Sequence, residues 1–224
     1  MSPFRKKLFI ALIGLVCSPC LSYAVEDGFY ATLGLGAGRI SGKPDRNDFL
    51  DAGLAATGTF DEGKRFTPMI EFSVGYQANL SERFTFGTEA GYKFVHENKM
   101  RGSLPGTIDD GDIKQELDIF DLLLVGNFHI DEKIAFFVKG GMAFVVNKLA
   151  VASDFSTNVA GLTLGTFATP SAFSPEAAMG FSYAVSRNLQ LLVTASHVFG
   201  EPFKLNEAVV PGVTLLTVGI KFSL

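Results

Sequence analysis

The chain of 224 residues has no Trp, two Cys, three His and charged residues at only 19%. Nor does it hold any apolar run of the ~18 residues a membrane-spanning helix needs, so a helical membrane protein is excluded. Three His and two Cys leave little material for a metal cluster, and neither a metal nor a cofactor is expected. The 19 basic residues are outnumbered by 23 acidic ones, and no Lys/Arg run follows residue 7. Nucleic acid is therefore a poor partner. With 47% hydrophobic residues against 24 Gly and 9 Pro, a disordered chain is excluded as well.

Both Cys fall early. Arg5, Lys6 and Lys7 precede a short apolar run from Leu8 to Val16, and Ser22-Tyr23-Ala24 then places small residues where signal peptidase prefers them. Residues 1–24 read as a secretory signal cut after Ala24, leaving residues 25–224 as one domain. A lipid anchor at Cys17 or Cys20 fits the flanking residues poorly. The cut removes three of the 19 bases and no acid, which leaves 16 against 23, a balance of −7 without a Cys. An exported domain of this size without a disulfide must be held by other means.

The remainder reads as strands with period two. Eight are expected: about 28–40, 66–79, 83–95, 115–129, 134–148, a sixth ending near 185, 188–200 and 213–224. The start of the sixth is open, since residues 158–170 could extend it. In each, large apolar residues alternate with small or polar ones. Phe72 and Val74 stand against Ser73 and Gly75, and Phe84 and Phe86 against Thr85 and Gly87. The fourth segment is apolar on both faces, Phe120, Leu122, Leu124 and Phe128 opposing Asp121, Leu123, Val125, Asn127 and His129.

A soluble sandwich would show an exposed face rich in Lys and Glu. Here the second face is dominated by Gly, with Glu71, Glu89, Lys93, Lys139, Glu176 and Lys221 scattered along it. That face suits a cramped interior, and the Phe-rich face suits lipid, the inside-out pattern of a transmembrane barrel. The connections agree: long at 41–65, 96–114 and 149–168, short at 80–82, 130–133 and 186–187, medium at 201–212. Short turns at one end and long loops at the other place both termini on the periplasmic side.

On the opening Gly28-Phe29-Tyr30 strand, on Ala135-Phe136-Phe137-Val138-Lys139-Gly140-Gly141 and on the C-terminal strand, the chain resembles the small eight-stranded outer-membrane barrels of the OmpA/OmpX and opacity type. The resemblance covers about 27–224. It implies an all-β, eight-stranded antiparallel up-and-down barrel, a monomer, in the outer membrane of a Gram-negative bacterium. Leu216, Val218, Ile220, Phe222 and Leu224 match the family's assembly signal, with Leu224 where the family usually ends in Phe. The implied partners are outer-membrane lipid and lipopolysaccharide, the assembly machinery through the last strand, and a host or surface ligand through the loops. No peptidoglycan-binding module is expected after the eighth strand.

Chemistry is sought because some barrels of this size act on lipid A. Ser196 and His197 are adjacent on one strand, so they point to opposite faces and cannot share a proton. His96 and His129 have no nucleophile beside them. Asp109, Asp110, Asp112 and Glu116 lack the ligand order of a calcium loop and read as a solvated hairpin tip. An enzyme is not expected. The six interior charges either line a narrow pore or pair and plug the lumen; three acids against three bases favour the plug. A secreted lipocalin-like binding barrel is the remaining alternative, opposed by the alternating loop lengths.

Overall fold

Period-two alternation yields long antiparallel strands whose two faces meet different media. The computed structural model describes residues 27–41, 59–60, 66–103, 111–151, 171–200 and 210–224. The strands are β1 (Gly28–Ile40), β2 (Thr59–Phe60), β3 (Thr67–Ser81), β4 (Phe84–Ser103), β5 (Gly111–His129), β6 (Ile134–Val151), β7 (Ser171–Ala184), β8 (Leu189–Val198) and β9 (Val213–Ser223). All but β2 belong to a closed barrel. Consecutive long strands pair antiparallel, β9 returns to β1 (Leu35↔Val218), and β4 with β5 joins the two ends of the sheet. The up-and-down barrel of eight strands read from the sequence is thus the fold, and β7 begins at Ser171.

The two-residue β2 pairs with the far end of β4, Thr59↔Ser103 and Phe60↔Gly102. The expected long loop at 96–114 is mostly a hairpin: β4 and β5 stay paired up to Gly102↔Gly111. The alternation misled here because His96 to Arg101 is polar at nearly every position, and strands that rise beyond both lipid and lumen need no apolar face. The ladder slips once, between Val95 and Asn98, where this extension begins. The rim is consequently tall along β4–β6 and low where β8 and β9 meet at Val198↔Val213.

At the opposite end the connections are tight, spanning residues 82–83, 130–133 and 185–188. In the second, the Asp131 carboxylate accepts the backbone N–H groups of Lys133 at 2.8 Å and Ile134 at 2.7 Å. Those bonds hold its carboxyl below the usual carboxylate range. Both ends of the barrel sequence lie at this rim, where the Leu224 N–H reaches the Phe29 carbonyl at 2.9 Å.

The faces sort as the alternation required. Phe72 is 51% exposed on the outside while its neighbour Ser73 is 1% exposed within. Phe86, Leu124, Val193 and Val218 are likewise exposed outside, and Phe144 packs half-buried against Phe173 with ring centroids 5.0 Å apart. Outward aromatic pairs gather toward the two ends. Phe29–Tyr76, Phe84–Phe128 and Phe136–Phe181 stand near the tight turns; Tyr92–Phe120 and Phe144–Phe173 stand toward the tall rim. Aliphatic side chains such as Leu33, Leu122 and Val193 fill the band between, the arrangement of an outer-membrane barrel with its two aromatic girdles.

This sorting sets an expectation for each face. Phe72→Arg should destabilise the barrel by about 2–4 kcal/mol, the cost of a cation near the bilayer midplane, read as a shifted urea midpoint in lipid vesicles. A lipid-soluble quencher should reach a spin label at position 72 and miss one at 73; the reverse result would invert the faces.

Candidate functional site

The interior of the barrel is where the chain concentrates its unusual chemistry, and glycine makes the room for it. A Cβ at Gly75 would lie 2.4 Å from Cζ of Tyr30, and one at Gly180 would lie 2.6 Å from Cζ of Phe137. Both aromatic side chains point inward and are 2% exposed. Each large interior ring is thus matched by a missing side chain on a facing or adjacent strand.

The six charged residues singled out in the sequence all have buried or nearly buried side chains on the inner face, and they are not paired one to one. Lys139 Nζ meets Glu89 Oε1 at 2.6 Å, and the Tyr30 hydroxyl donates to Glu89 Oε2 at 2.9 Å. Lys93 donates to Glu176 and lies 2.9 Å from Asp121 Oδ2, with Glu71 beside it in register on β3. Lys221 has a neutral partner, donating to Gln77 Oε1 at 2.6 Å, and stands 3.9 Å from the centre of the Tyr30 ring. Asp121 makes a fourth interior acid. Its phase on the fourth segment placed it on this face, but the sequence reading left it out of the charge set because that segment is apolar on both sides.

These contacts cross the lumen. Lys93 on β4 reaches Glu176 on β7, and Lys139 on β6 reaches Glu89 on β4, so neither bridge joins neighbouring strands. This arrangement ties distant walls of the barrel together and sets cations among buried acids, with Asp121 Oδ1 and Glu176 Oε2 left without a hydrogen-bond partner.

Toward the tall rim the filling changes character. Met69, Val95, Leu117, Val145, Val198 and Leu215 form a buried apolar cluster on the inner face, together with Val210. Val210 and Pro211 precede β9 and are buried too. The Ser41 N–H holds the Gly212 carbonyl at 2.7 Å, and a Cβ at Gly200 would lie 2.3 Å from the Pro211 carbonyl carbon. The end of the segment read as an outer loop at 201–212 therefore folds into the mouth. Sequence reasoning missed this apolar layer, since an inward Val or Leu in a doubly apolar strand cannot be told from a lipid-facing one.

The remaining candidates scatter. Ser196 is buried inside and His197 points outward, where its Nδ1 lies 2.9 Å from Thr214 Oγ1. Asp109 and Asp110 lie outside the described residues, Asp112 is near the start of β5, and Glu116 is part-buried on the same strand. Among the described residues no three His, Cys, Asp or Glu side chains gather as a metal ion would require. Leu216, Val218, Ile220 and Leu224 are exposed on the outer face of β9, with Phe222 half-buried among them. An outward polar group the sequence reading did not single out sits near the tall rim. The Tyr92 hydroxyl donates to Asp118 Oδ1 at 2.6 Å, and Lys148 Nζ lies 2.5 Å from Asp118 Oδ2.

A closed antiparallel barrel with an apolar exterior and a filled interior defines an outer-membrane barrel. The family model of the outer membrane protein beta-barrel domain matches residues 8–207, and the chain belongs to that family. Among solved structures it is similar to the attachment invasion locus protein Ail of Yersinia pestis, at 13% identity and a TM-score of 0.44, over 87% of this chain and 99% of that one. The outer membrane protein OprG of Pseudomonas aeruginosa gives 14% identity and a TM-score of 0.48, over 91% of this chain and 100% of that one. The Neisserial surface protein NspA gives 11% and 0.45, over 88% and 97%. No curated protein matches the sequence.

The crossed ion pairs are open to a direct energetic test. Glu89→Gln and Lys139→Met should each cost about 3–5 kcal/mol, because each strands a buried charge. The double variant should cost clearly less than the two single changes added. Urea titration followed by the gel mobility of the folded form measures all three.

Proposed function

We propose that the protein is a structural, surface-interaction barrel of the Gram-negative outer membrane, with a lumen plugged rather than conducting and with no catalytic role. The observation that carries the reading is the two-layer filling of the interior. A charged layer built on Lys93 and Lys139 is capped toward the tall rim by the apolar cluster of Val95, Leu117, Val198 and Val210. An eight-stranded barrel encloses a space that side chains alone can fill. Ions entering it would shed their water among Val and Leu side chains, at a cost no pore tolerates. Recognition then falls to the segments beyond the tall rim, and assembly to the outward apolar row of β9.

Planar-bilayer recordings test it. The purified barrel should pass little or no steady current, and replacing Val210 and Val198 together by Asp should raise it. Large steady currents from the unaltered protein would sink the plug.

Export completes the reading: residues 1–24, which lie outside the described residues, serve as a signal cut after Ala24. The intact mass of the exported protein should correspond to a chain starting at Val25. A mass that retains Cys17 or Cys20, with or without lipid, would overturn this.

A further inference from the structure

The low side of the rim carries an outward row that the plugged-barrel reading does not use. Arg39 at the end of β1, Thr214 at the start of β9 and His197 at the end of β8 are direct register neighbours, Arg39↔Thr214 and Thr214↔His197. Strand spacing puts the three within about 10 Å of one another. Arg39 and Thr214 are exposed and His197 is partly so. No described residue pairs with the Arg39 guanidinium, while Thr214 and His197 already orient each other at 2.9 Å. The Phe199 ring, 52% exposed, meets the His197 ring edge-on at 4.7 Å.

Beneath this row the outward face is apolar. Ala37, Leu216 and Ala195 form the next row, and Leu35, Val218 and Val193 the one after. The two small Ala side chains flank Leu216, itself 58% exposed. The outward residues of β1, β8 and β9 include no acid, so the guanidinium is the one full charge on that face among the described residues. On the tall side Lys148 is already held by Asp118.

We propose that Arg39, Thr214 and His197 form a binding site for the phosphate headgroup of an outer-leaflet amphiphile, whose acyl chains lie along the Ala37–Leu216–Ala195 strip. The planar guanidinium offers paired N–H donors to a phosphate, and the hydrogen-bonded Thr214–His197 pair, with one proton left after its mutual bond, adds a further donor. At the edge of the hydrocarbon such charge-assisted bonds are shielded from bulk water and gain strength. A guanidinium that merely reached for water would need no hydroxyl and imidazole beside it in register. The inference rests on the reading that the rim with the long segments faces outward, and it is independent of whether the lumen conducts.

Native mass spectrometry of the full chain tests it, after refolding into vesicles of phosphatidylcholine with a minor share of phosphatidic acid. Phosphatidic acid retained on the barrel should exceed its share of the vesicle about tenfold. Arg39→Gln should bring retention near parity and Thr214→Val should reduce it, while Lys148→Gln on the tall side leaves it unchanged. Heat-modifiable gel mobility certifies that each variant is folded; should Arg39→Gln fail that check, Arg39→Lys, expected to retain part of the enrichment, replaces it. No enrichment on the unaltered protein, or enrichment that survives both Arg39→Gln and Thr214→Val, would overturn the site. Release of the lipid by millimolar inorganic phosphate would identify a free-phosphate pocket and overturn the lipid assignment. Because conductance is read separately, a leaking barrel that still enriches the lipid would fail the plug alone.

Discussion

Every other feature of this structure follows from one demand: backbone N–H and C=O groups inside hydrocarbon must all be paired within the chain. Eight strands meet it only by closing, and the closing seam between β4 and β5 is also a long one, running from Phe84↔Phe128 to Gly102↔Gly111. Pro175 shows how tightly the demand is met. A proline inside β7 cannot donate to a ladder, and it stands just where pairing with β8 starts at Glu176↔Val198. Its carbonyl still accepts the Phe199 N–H at 2.9 Å, so the lost donor falls at the end of a seam rather than within one.

Closure fixes the lumen, and the lumen dictates the second set of choices. Eight strands enclose a space that side chains can fill, and the inner face alternates absence with bulk. Tyr30 occupies space conceded by Gly75, and Phe137 space conceded by Gly180. The long ammonium arms of Lys93 and Lys139 then cross the gap to acids on non-neighbouring strands. Replacing one partner of such a bridge by an apolar residue leaves its mate buried and alone, which is why these contacts act as cross-braces instead of ornaments on a wall.

The sequence made the strands, the faces and the closed end legible because those depend on local rules. Period two separates Phe72 from Ser73, and Asp131 with its two backbone N–H contacts marks a tight turn. What it concealed depends on where strands sit around the barrel. Nothing local pairs Lys93 with Glu176, 83 residues away. Val95, Leu117 and Val198 fall on the inner phase of their strands, but nothing local says that they meet in one apolar cluster. The polar stretch from His96 onward looks like loop because, beyond the membrane, a strand needs no alternation; only its pairing with β5 betrays it. Asp118 escaped for a related reason, as its partners Tyr92 and Lys148 lie on the two adjacent strands.

The slanted rim converts these constraints into two unlike surfaces. On the tall side Asp118 takes both the Tyr92 hydroxyl and the Lys148 ammonium, which ties β4, β5 and β6 together. A pair of that kind offers little to a ligand, since an incoming anion would have to displace a carboxylate already in place. On the low side the strands stop early, at Ile40, Val198 and Val213, so the last outward residues stand at the edge of the apolar belt with no described strand rising above them. Arg39 there meets no acid among the described residues, and its polar neighbours are a hydroxyl and an imidazole rather than a counter-charge. The difference between the two sides is thus one of strand length: where the ladder continues, Asp118 pairs with groups on both flanking strands, and where it ends, Arg39 has no acid beside it among the described residues.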